Sequence, residues 1–136
     1  MVLPEHSQTL GCHHIGLTVA DLSASEQFFC RYLGWEVVRR DADYPAVFVS
    51  DGCMLLTLWQ ARGDPRPFDN QQQQGLHHLA LKVASEAALT AVYEALLHAS
   101  GVRIEFAPEL LRHGPAMHMM CYEPNGIRIE FIWPGQ

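Results

Sequence analysis

The stretch that decides the fold is written twice: residues 13–20 read HHIGLTVA and residues 77–84 read HHLALKVA. A phrase repeated at a fixed distance indicates an internal duplication. In both copies apolar residues alternate with other residues, which is the pattern of a half-buried β-strand. The alternation places His14 and His78 on the face opposite to the apolar row.

Each copy is followed by the same order of elements. VADLSASEQFFCRYLGW predicts a helix that Asp21 or Ser23 caps and Gly34 ends, and WEVVRRD, PAVFVSD and CMLLTLWQ predict three strands. After the second copy, SEAALTAVYEALLHAS predicts a helix, and VRIEF, AMHMMCY and IRIEFIW predict three strands. The sequence therefore predicts an α+β fold of two tandem βαβββ modules.

The modules are expected to lie within a single domain, residues 1–136. Module one covers residues 11–60 and module two residues 76–134. The segment between them, 61–75, reads ARGDPRPFDNQQQQG, and its proline, glycine and glutamine content is typical of a linker.

Bulk properties narrow the possible partners and location. The net charge of -6 argues against binding to nucleic acid or to an anionic membrane. The four cysteines form no C-x-x-C pair, as expected of reduced thiols in a cytoplasmic protein. The first residues have neither the basic start nor the apolar run of a signal peptide, and no segment is long enough for a membrane helix.

The last strand adds a carboxylate to the two histidines. Because Ile127, Ile129, Phe131 and Trp133 form its apolar row, Arg128 and Glu130 share the opposite face. The candidate metal ligands are therefore His14, His78 and Glu130. Two imidazoles and one carboxylate leave open positions on an ion, which suits substrate binding and Lewis-acid or oxygen chemistry. Taken alone, a histidine at a strand start is more often a hydrogen-bonded surface or core residue than a ligand, and a glutamate in a terminal strand is usually solvated; the repetition of the histidine in both copies favours the metal site.

His13 and His77 are weaker ligand candidates. Because side chains alternate along a strand, they lie on the face opposite to His14 and His78, and we expect them to bond to backbone at the strand ends.

The motifs HHIGLTV-x-D-L, GLHHLALKV and EPNGIRIEF resemble those of the vicinal oxygen chelate superfamily. That superfamily includes glyoxalase I, fosfomycin-resistance transferases, methylmalonyl-CoA epimerase, extradiol dioxygenases and bleomycin-resistance proteins. The resemblance implies a glyoxalase-like fold, in which curved half-barrels of mixed sheet enclose a divalent ion such as Fe, Mn, Ni, Co or Zn. By position it implies the ligands His14, His78 and Glu130, and it puts a further family glutamate at about Thr57.

Further side chains are candidates for substrate binding and proton transfer. Lys82 and Arg128 share the face of Glu130 and could hold an anionic substrate, or they could pair with surface acids. Thr57 is a third substrate-binding candidate, and His113 a fourth, in the loop APELLRHGP, which is the predicted lid. His118 is a candidate general acid–base, or else an exposed strand residue.

The resemblance favours a metal-dependent enzyme that acts on a small oxygen-bearing molecule, but it does not separate lyase, isomerase, dioxygenase and transferase. Thr57 disfavours classical glyoxalase I, because one of that enzyme's two carboxylates is missing. The alternatives are a metal-free binding protein of the bleomycin-resistance type and a relative whose histidines are vestigial. The expected assembly is a homodimer in which His14 of one chain lies near His78 and Glu130 of the other.

Overall fold

A computed structural model describes Val2 and residues 5–136. Module one contains β1 (Ile15–Val19), α1 (Leu22–Gln27), a π-helical turn (Phe28–Tyr32), β2 (Glu36–Asp41), β3 (Ala46–Ser50) and β4 (Leu55–Gln60). Module two contains β5 (Leu79–Lys82), α2 (Glu86–Leu97), β6 (Arg103–Leu110), β7 (Met117–Tyr122) and β8 (Arg128–Trp133). The predicted order of elements is confirmed in both halves.

Each module forms a separate four-stranded mixed sheet, with the orders β1-β4-β3-β2 and β5-β8-β7-β6. The first strand of each module runs parallel to the last, and the other pairs are antiparallel. This topology puts the repeated histidine phrase beside the last strand, so Ala80 lies opposite Glu130 across a gap of 50 residues in sequence. The predicted mixed sheets are therefore confirmed.

The helices begin at side chains that satisfy free backbone N–H groups. The Asp21 carboxylate accepts a hydrogen bond from the Ala24 N–H at 3.1 Å, and the Ser85 hydroxyl accepts one from the Ala88 N–H at 3.0 Å. Of the two caps proposed for α1, Asp21 is thus the one used.

One hydrophobic core joins the inner faces of both sheets and the helices that cover them. Its fully buried side chains include Phe29 of the π-helical turn, Leu56 of β4, Leu89 of α2 and Ile129 of β8. We call the opposite surface of each sheet, which the helices do not cover, the outer face. The outer faces carry the residues predicted to do chemistry.

A polar cluster centred on the buried side chains of Ser25 and Glu123 ties module one to the β7–β8 turn of module two. Ser25 of α1 donates a hydrogen bond from its hydroxyl to Glu123 Oε2 at 2.6 Å. The Asn125 amide donates to Ser25 Oγ and to the Asp21 carbonyl, both at 2.7 Å. Glu123 Oε1 accepts from two backbone N–H groups of its own turn. This cluster (Asp21, Ser25, Glu123 and Asn125) is called the intermodule clamp below.

The segment between the modules is ordered locally by Asp69. Its carboxylate accepts a hydrogen bond from the Gln71 N–H, and its own N–H donates to the Gln73 side chain. Phe68 packs against the core, so the linker lies against the body of the protein.

The predicted lid loop is shorter in the structure than in the sequence-based prediction. Residues 107–110 of APELLRHGP continue β6 as strand, because they pair with the first residues of β7. Only the turn 111–116, which contains His113, lies outside the sheet. Among the helices of the described residues, none is long and apolar enough to cross a membrane.

Candidate metal centre

The outer face of the second sheet gathers ionisable side chains around Glu130. Alternation along β8 sends Ile129 and Phe131 into the core and Glu130 to the outer face. The register sets Glu130 between Ala80 of β5 and Met120 of β7. Small and apolar neighbours on either side leave room above this carboxylate for the histidines.

Two histidines approach the two oxygens of Glu130. His78 Nε2 lies 3.6 Å from Oε1, and His118 Nδ1 lies 2.6 Å from Oε2. The second nitrogen of His118 lies 3.8 Å from Oε1 of Glu109 on β6. The side chains of Glu130 and His118 are only 12% and 13% exposed, so their hydrogen bond is shielded from water.

Among the described residues, His13 and His77 form no hydrogen bond to backbone, contrary to the expectation. His13 Nδ1 lies 2.9 Å from His14 Nδ1, and His77 Nδ1 lies 2.8 Å from His78 Nδ1. The parity argument fails here because the strands begin at Ile15 and Leu79, after the histidines. Each repeated HH is therefore a ring-to-ring pair.

The structure brings two of the three predicted ligands together. His78 and Glu130 are neighbours in module two, whereas His14 stands, exposed, at the start of β1 in the other sheet. Among the residues that the structure describes, no three His, Cys, Asp or Glu side chains are grouped so that they could hold a metal ion. A single chain does not assemble the predicted set.

Thr57 occupies a closed position on the outer face of the first sheet. It is 3% exposed, and the Trp59 indole N–H donates a hydrogen bond to its hydroxyl at 2.9 Å. Gly16 lies opposite Thr57, where an added Cβ would come within 3.1 Å of the Thr57 hydroxyl. The rings of Tyr44 and Phe48 pack on Trp59. At Thr57, where the resemblance implied a glutamate, module one therefore presents an aromatic surface.

Arg128 is held by an acidic partner that the sequence analysis did not single out. Its guanidinium donates to both oxygens of Glu105, at 2.9 and 2.7 Å. This pairing lowers the pKa of the Glu105 carboxyl, and the Tyr122 hydroxyl, which also donates to it, acts in the same direction. The alternation of VRIEF could have revealed Glu105, because it places that residue on the same face as Arg103.

Two predicted side chains remain, Lys82 and His113. Lys82 ends β5 and lines a small cavity of about 190 Å³ together with Trp35 and Val92. His113 is exposed in the turn between β6 and β7. A separate open groove of about 1030 Å³ lies between linker residues 66–73 and the β7–β8 turn; polar side chains predominate in its lining, which also includes Phe68, and it does not include Glu130.

Comparison with known proteins agrees with this architecture. The sequence profile of the Glyoxalase/Bleomycin resistance protein/Dioxygenase superfamily matches residues 11–131. No protein with a curated description matches the chain.

Solved structures share the fold at low sequence identity. A glyoxylase/bleomycin resistance protein/dioxygenase domain from Frankia sp. EAN1pec is 24% identical, with a TM-score of 0.74 over 93% of this chain and 99% of that one. A lactoylglutathione lyase from Agrobacterium tumefaciens is 20% identical, with a TM-score of 0.69 over 95% and 97%. A glyoxalase family protein from Enterococcus faecalis is also 20% identical, with a TM-score of 0.68 over 90% and 96%. The predicted glyoxalase-like α+β fold is confirmed.

Proposed function

Because the chain belongs to the glyoxalase/bleomycin resistance protein/dioxygenase superfamily, we propose that it is a divalent-metal-dependent enzyme acting on a small oxygen-bearing molecule. Two oxygens of the substrate would bind the ion. The observation that carries the proposal is the position of Glu130, with one oxygen near His78 Nε2 and the other bonded to His118. The candidate ions are Fe, Mn, Ni, Co and Zn, and the candidate reaction classes are lyase, isomerase, dioxygenase and transferase.

The spacing of His78 and Glu130 fits a shared ion. Two ligands about 2.1 Å from one ion, at tetrahedral or octahedral angles, are about 3.0 to 3.4 Å apart. The observed distance between His78 Nε2 and Glu130 Oε1 is 3.6 Å, so a small side-chain rotation suffices. Imidazole nitrogen and carboxylate oxygen are ligands that Zn, Fe, Ni and Mn accept.

A second copy of the chain would complete the ligand set. His14 lies on the other sheet, and the intermodule clamp holds that sheet in place relative to module two. We therefore propose a homodimer in which His14 of one protomer lies beside His78 and Glu130 of the other. Sedimentation equilibrium at micromolar concentration checks the assembly, and a monomer there would contradict it.

Glu130 and His118 are proposed to have different roles at this centre. A bound divalent ion would supply Lewis-acid stabilisation of negative charge on a substrate oxygen. Glu130 is proposed first as a ligand and second as a base. His118, with Nδ1 on Glu130 and Nε2 toward the exposed Glu109, is proposed to move a proton at Nε2.

The proposed substrate-binding side chains differ in whether they already have a partner. Lys82 and His113 are exposed cations or potential cations, whereas Arg128 would have to exchange Glu105 for an anionic substrate. Thr57 would contribute to substrate binding by holding the Trp59 indole, which forms part of the aromatic surface. The absence of a carboxylate at Thr57 argues against the two-carboxylate chemistry of classical glyoxalase I.

A metal-free binding protein of the bleomycin-resistance type is the second candidate. The aromatic surface of Tyr44, Phe48 and Trp59, whose rings meet edge-on or tilted, favours it, because aromatic side chains can bind flat organic molecules without an ion. In that case His78 and Glu130 would be ordinary polar residues of the groove.

Elemental analysis of protein purified without chelator tests the proposal. We expect stoichiometric metal in the wild type and loss of metal in Glu130→Ala. Glu36→Ala, which removes an exposed carboxylate from β2, is the matched control and should keep its metal. A wild type that stays metal-free after reconstitution with each candidate ion would support the binding protein instead.

A further inference from the structure

The duplication aligns the outer faces of the two sheets position by position. Two rows of side chains cross each face in the same register: in module one they contain Gly16, Thr57 and Phe48, then Thr18, Trp59 and Ala46; in module two they contain Ala80, Glu130 and Met120, then Lys82, Ile132 and His118. Where module two carries Glu130 and His118, module one thus carries Thr57 and Ala46. The candidate metal ligand and the candidate proton donor therefore lie on one sheet, and the aromatic surface lies at the matching place on the other.

Trp59 forms the centre of the aromatic surface and is held in place. Its ring centroid lies 5.1 Å from that of Tyr44, at 86°, and 5.8 Å from that of Phe48, at 55°. Its indole N–H is bonded to Thr57, and all three rings remain partly exposed. A Cβ added at Gly16 would lie 3.5 Å from the indole nitrogen, so the glycine leaves that edge of Trp59 open. A flat ligand can therefore pack on rings that are already ordered.

Two arginines flank the aromatic surface. The Arg62 guanidinium lies 4.0 Å from the centroid of the Tyr44 ring, and the Arg39 guanidinium lies 5.5 Å from the centroid of the Phe48 ring. A guanidinium that stacks on a ring through its flat face keeps the N–H groups in its own plane available for a carboxylate. Arg39 already lies 3.8 Å from Asp41. Among the described residues, no carboxylate lies within ion-pair distance of Arg62, so its N–H groups are available for an external anion.

We infer that the substrate is an aromatic carboxylate: its ring packs on the aromatic surface, and its carboxylate binds the Arg62 guanidinium. The inference rests on the proposed function, because the proposed homodimer brings His14, at the start of β1 in the same sheet, beside His78 and Glu130 of the second protomer. The aromatic surface of one protomer and the metal ligands would then share one site. Neutral aromatic molecules and non-aromatic acids each satisfy only part of these contacts, so Arg62 and Trp59 together determine specificity.

Isothermal titration calorimetry of the chelator-treated protein with three probes tests the inference. Naphthoate has both the flat ring and the anion, naphthamide has the ring without the charge, and cyclohexanecarboxylate has the anion without the flat ring. We expect naphthoate to bind about 5- to 10-fold more tightly than either of the others. Arg62→Gln should lose the preference over naphthamide. Arg31→Gln, which removes another arginine that lies over a ring, that of Tyr32, is the matched control and should keep it.

Proton–nitrogen NMR of the tryptophan indole groups locates the probe. Naphthoate should shift the indole N–H resonance of Trp59, assigned with Trp59→Phe, and leave that of the buried Trp35 unchanged. Equal affinities for naphthoate and naphthamide, an Arg62→Gln variant that binds naphthoate as the wild type does, or an unchanged Trp59 resonance would each overturn the inference. So would a Trp59 resonance that shifts on dilution to the monomer but not with naphthoate, because a second copy would then occupy the surface.

Failure of the proposed function has a different signature. If the wild type binds no divalent ion but still prefers naphthoate through Arg62, the metal-dependent enzyme is refuted and the same ligand class applies to the binding protein. If metal is bound stoichiometrically and naphthoate is not preferred, only the assignment of the substrate class fails.

Discussion

The intermodule clamp allows a quantitative prediction for Ser25→Ala. Ser25 is completely buried, donates to Glu123 Oε2 and accepts from Asn125 Nδ2. The substitution leaves a carboxylate oxygen buried without a donor and an amide N–H with one partner fewer. Because a hydrogen bond to a charged group contributes about 1.5–3 kcal/mol, we expect the free energy of unfolding to fall by about 2–3 kcal/mol.

Urea denaturation followed by circular dichroism measures this loss. With an m-value of about 2 kcal/mol per molar urea, the midpoint should fall by about 1 M or slightly more, at unchanged m. Ser23→Ala, which changes an exposed serine of the same helix, is the control and should stay within about 0.5 kcal/mol of the wild type.

The loss should also depend on pH. Burial raises the pKa of the Glu123 carboxyl, and the Ser25, Ile127 and Asn125 donors partly oppose that rise. A raised pKa in the folded state means that the stability contributed by protonated Glu123 is complete below the unfolded pKa and is lost as pH rises through the folded pKa. Removing Ser25 raises the folded pKa further, so the deficit of Ser25→Ala should be larger at pH 8 than at pH 5.

A deficit below about 0.5 kcal/mol at neutral pH would refute the reasoning, because it would mean that Glu123 finds another donor or that water enters. A deficit that does not change between pH 5 and pH 8 would show that Glu123 keeps one protonation state throughout. Glu123→Gln isolates the effect of the buried charge, because the amide has nearly the same shape as the carboxylate and keeps an acceptor oxygen but carries no charge.

Three further predictions concern single positions. His118→Leu removes the donor on Glu130 Oε2 and should weaken Zn²⁺ binding about 10- to 100-fold in calorimetry, with His118→Gln recovering part of the loss. Burial raises the pKa of the Cys121 thiol to about 12, so at pH 8 a thiol reagent should modify the exposed Cys53 quickly and Cys121 only after denaturation. Gly16→Val should lower the free energy of unfolding by about 1–3 kcal/mol in urea titration, because a Cβ there already crowds the Thr57 hydroxyl; wild-type stability would show that the sheet yields freely.

The fold was largely predictable because its signal is local and repeated. Alternation within β8 was enough to place Glu130 and Arg128 on the outer face, and the duplicated phrase identified the two first strands. The contact between His78 and Glu130 agrees with the resemblance, which implied both as ligands, but the pairing of the first and last strands that produces it cannot be read from alternation.

Other features have no local signature. Ser25 and Glu123 lie 98 residues apart, and neither the pattern of α1 nor the sequence of the β7–β8 turn indicates that they meet. The ring-to-ring contacts of His13 and His77 depend on where each strand begins, and single residues at strand ends are the least predictable by alternation. The pairing of Arg128 with Glu105 depends on the register between β6, β7 and β8.

The order of strands has a consequence for solubility. Among the described strands, each sheet has two edge strands: β1 and β2 in the first, β5 and β6 in the second; β1 and β5 pair on one side only, with β4 and β8. Their free sides present unpaired backbone N–H and C=O groups, which are templates for strand addition by another chain. Both strands are short, with five and four residues, which limits this hazard. Any ligand or partner that binds over the histidines at the starts of these strands would also cover the open edges. Occupancy of the site and resistance to aggregation should therefore rise together.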